Sequence, residues 1–226
     1  MSRIIETHNY KVIVQVCGLA YKYSHIMGII GFPGAGKTTT LTHISRNNDS
    51  IYYIAATATI TAKQFFIELL YQFGFEPIPK ESLHSILNRL VALLNDDDSK
   101  KLIIVDECTF LKSQMLTYLQ ELTDKTRETV GLVLAGPYNY KAQLEKWGSQ
   151  ELKGVREFLS RVWGFQPLDR PTHAEIDAFL RVYEIKDSKF SKMLKKIITS
   201  FRQLNQEIQK YLFDKSGEDF TDLITT

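Results

Sequence analysis

Residues 31–38 constrain this chain more than any other stretch. They read Gly31-Phe32-Pro33-Gly34-Ala35-Gly36-Lys37-Thr38 and match G-x-x-x-x-G-K-[ST] at every fixed position. An apolar run, Ile26 to Gly31, reads as a buried strand just before, and a helical stretch from Lys37 to Arg46 follows. A chance match in a glycine-rich turn would lack that strand-before, helix-after setting. The glycines let backbone N–H groups turn inward around a phosphate chain. Lys37 can reach the β- and γ-phosphates, and the Thr38 hydroxyl can ligate Mg²⁺. The helix that starts there adds its positive dipole end. The expected nucleotide contacts are Gly31, Phe32, Pro33, Gly34, Ala35, Gly36, Lys37, Thr38 and Thr39.

Around this loop, short β-rich runs alternate with helical stretches. Strands are expected at 26–31, 51–56, 102–105 and 131–135, with helices at 9–22, 37–46, 62–73, 82–95 and 113–125. Continuous apolar strands separated by helices indicate an α/β parallel sheet sandwiched between helices. Tyr52 and Tyr53, on the second strand, read as core or sheet residues. Asp106 and Glu107 follow the apolar strand Leu102–Val105, where a carboxylate faces the ligand crevice of an open parallel sheet. Asp106 is placed to hold Mg²⁺ through water and Glu107 to polarise an attacking water. The pair lies 69 residues after Lys37. That separation suits a sheet with an extra strand between the two motif strands, the arrangement of P-loop ATPases with a catalytic glutamate. ATP and Mg²⁺ are therefore the expected cofactors.

The segment Gln166–Pro171 carries two prolines and starts a different regime. After it only helices are readable. Thr172 with Glu175 forms a capping-box pattern for a helix over 173–182. Apolar residues from Phe190 to Leu212 predict one long amphipathic helix. The expected division is an ATPase core over 1–167, an all-helical lid over 168–215 and a flexible tail over 216–226. Hydrophobic residues at 44% and charged residues at 24% exclude a disordered chain, a fibre and a coiled-coil rod. Two cysteines, Cys17 and Cys108, build no disulfide framework and lack metal-site spacing. With no secretion signal and no membrane-length apolar run, a soluble, cytoplasmic protein without a membrane partner is expected.

Beyond the phosphate loop, the runs IVDECTFL, YLQELTDKTRETVGLVLAGPYNYKAQL and FLSRVWGF resemble the AAA+ ATPases of DNA transposition: the phage Mu transposition protein B, the IstB-like helpers and the TnsC-like regulators. The similarity covers about residues 5–210. Its more specific parts are Leu119–Arg127, Gly131–Gly136 and Leu159–Val162. The resemblance implies further roles. Arg161 matches the arginine that reaches a neighbouring subunit's γ-phosphate, with Arg156 as the runner-up. Arg202, in Ser200–Leu204, matches the sensor-2 arginine of the lid. The segment Thr7-His8-Asn9 resembles the one that passes near the adenine. The chain departs from the pattern after Gly136, where Pro137 replaces the usual polar sensor-1 residue and Asn139 is the nearest amide. Cys108 and Thr109 also replace the residues that commonly follow the glutamate, and with about 25 residues before the first strand no helix-turn-helix domain is expected ahead of the core.

The same resemblance implies an ATP-bound homo-oligomer, a helical filament or a ring, that binds duplex DNA without sequence preference and stimulates a transposase. DNA contacts are expected at Thr59, Thr61 and Lys63 and at Lys112, with Lys189, Lys192, Lys195 and Lys196 as a second cluster. The alternative is an ATPase that loads or remodels a protein partner, helicase-loader-like or secretion-associated, without binding duplex DNA. The net charge is only +2. Residues 1–150 carry 15 basic and 14 acidic side chains, so no basic half stands ready to bind DNA by itself. DNA binding would then need ATP-driven assembly to align many weak sites.

Overall fold

The apolar runs at Lys101–Asp106 and Val130–Gly136 are buried at every position, so each is covered on both faces. They form the centre of a five-stranded sheet whose strands all run parallel. The structure is a computed structural model that describes residues 4–126 and 128–216. In chain order its elements are α1 (His8–Tyr23), β1 (Ile26–Ile30), α2 (Lys37–Arg46), β2 (Ile51–Ala55), α3 (Ala62–Gln72), α4 (Leu83–Leu94), β3 (Lys101–Asp106), α5 (Ser113–Lys125), β4 (Val130–Gly136), α6 (Asn139–Ser149), α7 (Val155–Arg161), β5 (Val162–Pro167), α8 (His173–Val182), α9 (Ser188–Ile197) and α10 (Phe201–Ser216). A 3-10 turn at Cys108–Phe110 follows β3.

The strand order is β2-β3-β4-β1-β5. β4 therefore lies between the strand that feeds the phosphate loop and the strand that ends in Asp106, as the motif spacing predicts. Alternate residues of β3 face opposite sides. Ile103 and Val105 join a large core built with α3 to α7. Leu102 and Ile104 join a smaller one with Ile13, Ala20 and Leu41 of α1 and α2. A third apolar cluster, including Ile176, Leu180, Leu194, Leu204 and Ile208, belongs to α8, α9 and α10 alone. Leu168, just after β5, is buried against the second core.

The expected strands and helices up to residue 136 appear within two residues of their sequence limits. Two features differ. The fifth strand, with α6 and α7 before it, has no clear sequence signature. β5 is an edge strand, only partly buried, and it starts directly where α7 ends, with no turn residue between them. The single helix expected over 190–212 is two helices, α9 and α10. The apolar stripe continues across Ile198-Thr199-Ser200, but side chains cap a new helix there. Ser200 Oγ accepts the Gln203 N–H at 3.1 Å, and Gln203 Oε1 accepts the Thr199 N–H at 2.9 Å. The Thr172–Glu175 capping box is present. The expected flexible tail and Arg127 lie outside the described residues, apart from Ser216 at the end of α10.

Candidate functional site

The phosphate loop connects β1 to α2 at the C-terminal end of the sheet. Its shape depends on two left-handed glycines, Gly34 at φ +82° and Gly36 at φ +94°. The side chains of the loop divide by direction. Ala35 is buried, and Phe32 packs on the core beside Tyr138. Gly31, Pro33, Gly34, Gly36, Lys37, Thr38 and Thr39 line an open cleft of about 730 Å³. Lys37 Nζ donates to the Gly31 and Phe32 carbonyls at 2.7 and 3.2 Å. Burial pushes the Lys37 ammonium below its usual pKa, while the carboxylates of Asp106 and Glu107 pull it back up. A cation held in this way can exchange loop carbonyls for phosphate oxygens.

Asp106 ends β3 and is fully buried. Its Oδ2 accepts from the Thr38 hydroxyl at 2.6 Å and from the Tyr53 hydroxyl at 3.0 Å. Its Oδ1 accepts the Glu107 N–H at 2.9 Å. Thr38 and Asp106 thus meet across β4, which separates their strands, and a hydroxyl beside a buried carboxylate is a hard oxygen donor set that fits Mg²⁺. Glu107 has φ +52°, a left-handed conformation that costs about 1–2 kcal/mol outside glycine. It turns the side chain off the strand axis into the same cleft as Lys37.

The lid closes the other side. The Gly34 carbonyl accepts the Phe201 and Arg202 N–H groups at 3.0 and 3.4 Å. Arg202 Cβ lies so near that a Cβ on Gly34 would approach it to 2.7 Å. Arg202 lines the cleft. Asn9 of α1 is buried and binds the loop from behind, donating to the Ala35 and Asp169 carbonyls at 3.1 and 2.8 Å. Thr7 and Tyr10 line the cleft beside it, with Phe179, Tyr183 and Phe201 of the lid. The end of the cleft that carries these aromatic rings therefore combines the N-terminal segment with the lid.

Other expected residues lie elsewhere. Pro137 lines the cleft, whereas Asn139 is exposed on α6 and is not among the lining residues. Arg161 precedes Val162, which pairs with Ile26 at the start of β1, the end of the sheet away from the loop. It forms a two-pronged ion pair with Asp124 at 2.7 and 2.9 Å. Arg156 is exposed on α7. Thr59, Thr61, Lys63 and Lys112 are exposed just after β2 and β3, neighbouring strands, so both segments emerge at the same end of the sheet. Thr61 is also the N-cap of α3, in a capping box with Gln64. On α9, Lys195 pairs with Asp177 at 2.7 Å, and Lys189, Lys192 and Lys196 are exposed.

Sequence reasoning missed Tyr53. It was read as a core or sheet residue, and Tyr52 does stack on Phe73, with ring centroids 4.2 Å apart. Tyr53 lies on β2 and packs against the second core, but its hydroxyl also reaches Asp106, and burial with the nearby carboxylate pushes its phenol pKa up. A tyrosine in a strand gives no sequence signal that its hydroxyl will be used.

A glycine-rich loop with a lysine, a hydroxyl facing a strand-end aspartate, and an adjacent glutamate on this sheet order define a P-loop ATPase domain. The AAA domain family matches residues 21–144, and the chain belongs to it. No curated protein matches the chain significantly. Among solved structures, ORC1 from Aeropyrum pernix in complex with DNA is 16% identical over 94% of this chain and 61% of its own, with a TM-score of 0.63. Cdc6p from Pyrobaculum aerophilum is 20% identical over 80% and 50%, with a TM-score of 0.59. Drosophila ORC bound to DNA is 13% identical over 100% and 64%, with a TM-score of 0.59. At such identities the likeness is one of fold. The chain spans between half and two thirds of the length of these structures. Among the described residues, no helix is long and apolar enough to cross a membrane.

Proposed function

We propose that the chain is a Mg²⁺-dependent ATPase that assembles on duplex DNA in its ATP-bound form and serves as a target-capture and stimulating factor for a transposase. Its core would span 1–167 and its lid 168–215. The observation that carries the ATPase reading is that Lys37, Thr38 and Glu107 line one cleft while the buried Asp106 accepts from the Thr38 hydroxyl. Thr38 and Asp106 would hold the Mg²⁺, which would supply positive charge to offset the negative charge that develops on the phosphates. Lys37 would bind the same phosphates, and Glu107 would orient and deprotonate the attacking water. Arg202 would contact phosphate from within the subunit. Arg161 sits at the wrong end of the sheet for its own cleft, so a finger role requires a second copy. Asn139, turned away from the cleft, would need loop movement to sense the γ-phosphate.

DNA binding is supported by fold likeness to proteins solved on DNA, and by exposed Thr59, Lys63 and Lys112 grouped at one end of the sheet. The transposase client rests on the sequence resemblance alone. A second reading, loading or remodelling of a protein partner without duplex DNA, is favoured by exposed Tyr71, Phe75 and Ile78 around the α3–α4 connection. Electron microscopy of the protein with plasmid DNA and a non-hydrolysable ATP analogue separates the two. Coated DNA is expected; bare DNA at saturating protein would sink the DNA reading. A transposase assay with and without the chain then tests the client.

A further inference from the structure

One side chain outside every motif reaches the buried carboxylate of the site. Tyr53 lies on β2, an edge strand, and pairs with Ile104 of β3. Asp106 is two residues further along β3, on the same face, within diagonal reach of an aromatic side chain. The phenol hydroxyl donates to Asp106 Oδ2 at 3.0 Å, the same oxygen that the Thr38 hydroxyl reaches at 2.6 Å. The Glu107 N–H occupies Oδ1. The carboxylate is therefore gripped by three donors, one from each of three separate segments.

The strand carrying Tyr53 is itself clamped. Gln72, the last residue of α3, accepts the Tyr53 N–H at 3.0 Å and donates to the Tyr53 carbonyl at 2.9 Å. One amide thus supplies both bonds that a further strand would make at this edge. The clamp fixes Tyr53 along the strand and so fixes where its hydroxyl points. The ring packs against the second core, and the hydroxyl at its tip reaches the carboxylate.

We propose that Tyr53 is a positioning residue of the Mg²⁺ site. Its hydroxyl fixes the orientation of the Asp106 carboxylate beside the Thr38 hydroxyl, and these two groups would hold the ion. This rests on the ATPase reading above and extends it. Partners that orient metal-binding carboxylates contribute roughly ten- to a hundredfold to metal affinity. Removing the hydroxyl therefore moves Mg²⁺-supported nucleotide binding to higher Mg²⁺ concentration and leaves metal-free nucleotide binding in place.

The test uses the full chain, a fluorescent ATP analogue and a MgCl₂ series, with an EDTA arm. In Tyr53→Phe the Mg²⁺ midpoint for tight nucleotide binding is expected to rise roughly tenfold, with unchanged affinity in EDTA. An unchanged midpoint overturns the inference while the ATPase reading stands. An equal loss with and without Mg²⁺ also overturns it, since that marks a packing role. A parent chain whose nucleotide binding ignores Mg²⁺ overturns both.

Discussion

Asp106 and Gly34 show how single residues tie this site together. The Asp106 carboxylate gathers Thr38, Tyr53 and the Glu107 N–H, so the phosphate loop, β2 and the end of β3 share one acceptor. Glu107→Gln keeps the shape and removes the base. Its ATP turnover is expected to fall roughly 100-fold or more, with nucleotide affinity retained. Turnover at the parent rate in a phosphate-release assay would remove Glu107 from its role. Gly34→Ala asks a different question. An alanine there pays about 1–2 kcal/mol for its left-handed φ, and its methyl would press on Arg202 at 2.7 Å. Loss of lid contact and weaker nucleotide binding are expected together. Urea unfolding and nucleotide titration check this, and a variant with parent values in both would show that the lid is not held at Gly34. The loop, Asp106 and Glu107 were legible because their chemistry fixes residue types at fixed spacing. Tyr53 was not, because a strand tyrosine has the same sequence signature whether it packs or binds.

Secondary structure was legible where packing is two-sided. β3 and β4 are apolar throughout because helices cover both faces, and the sequence displays that directly. β5 lies at the edge with half-exposed residues, so its run carries no comparable signal. The lid illustrates the opposite error. Hydrophobic periodicity runs through Ile198–Ser200, yet capping overrides it and starts α10 afresh at the position where its first N–H groups meet the Gly34 carbonyl. Ser200→Ala should cost about 1 kcal/mol and loosen that junction; hydrogen exchange of the Phe201 and Arg202 amides would report it, and unchanged protection would count against the cap. The α4–β3 turn has its own pH signature. The Lys101 ammonium, with help from Ser99, pulls the Asp97 carboxyl down to about 2 from 3.8. A carboxyl depressed on folding stabilises at pH above its unfolded pKa, and that stability is lost as pH falls through the folded one. Asp97→Asn should therefore flatten the change in urea midpoint between pH 4 and pH 2, roughly the interval between the two pKa values. An unaltered slope would mean that the turn carries no such linkage.

At the scale of the molecule, the open questions are assembly and DNA. Basic and acidic side chains nearly cancel in both the first 150 residues and the remainder. The exposed Lys63 and Lys112 are too few to grip a duplex alone, since affinity for DNA grows with the number of phosphates neutralised. An ordered array would repeat them along the duplex. In the proposed function, Arg161 would make that array depend on ATP. In the single chain it is occupied by Asp124, an exposed pair worth little, about 0–1 kcal/mol. A neighbour's γ-phosphate carries more negative charge than one carboxylate, so it attracts a guanidinium more strongly. Exchanging Asp124 for phosphate would cost little and couple two subunits. Arg161→Ala subunits retain their own cleft, and Lys37→Ala subunits retain their own finger. Each variant alone should hydrolyse ATP at near background. Mixed, they should recover part of the parent rate, because some interfaces then pair an intact Arg161 with an intact cleft. No recovery in the mixture, at concentrations where the parent assembles, would remove Arg161 from the interface and leave Arg156 as the arginine to test. The same mixtures should bind DNA only with ATP present, and their affinity should fall steeply as salt rises.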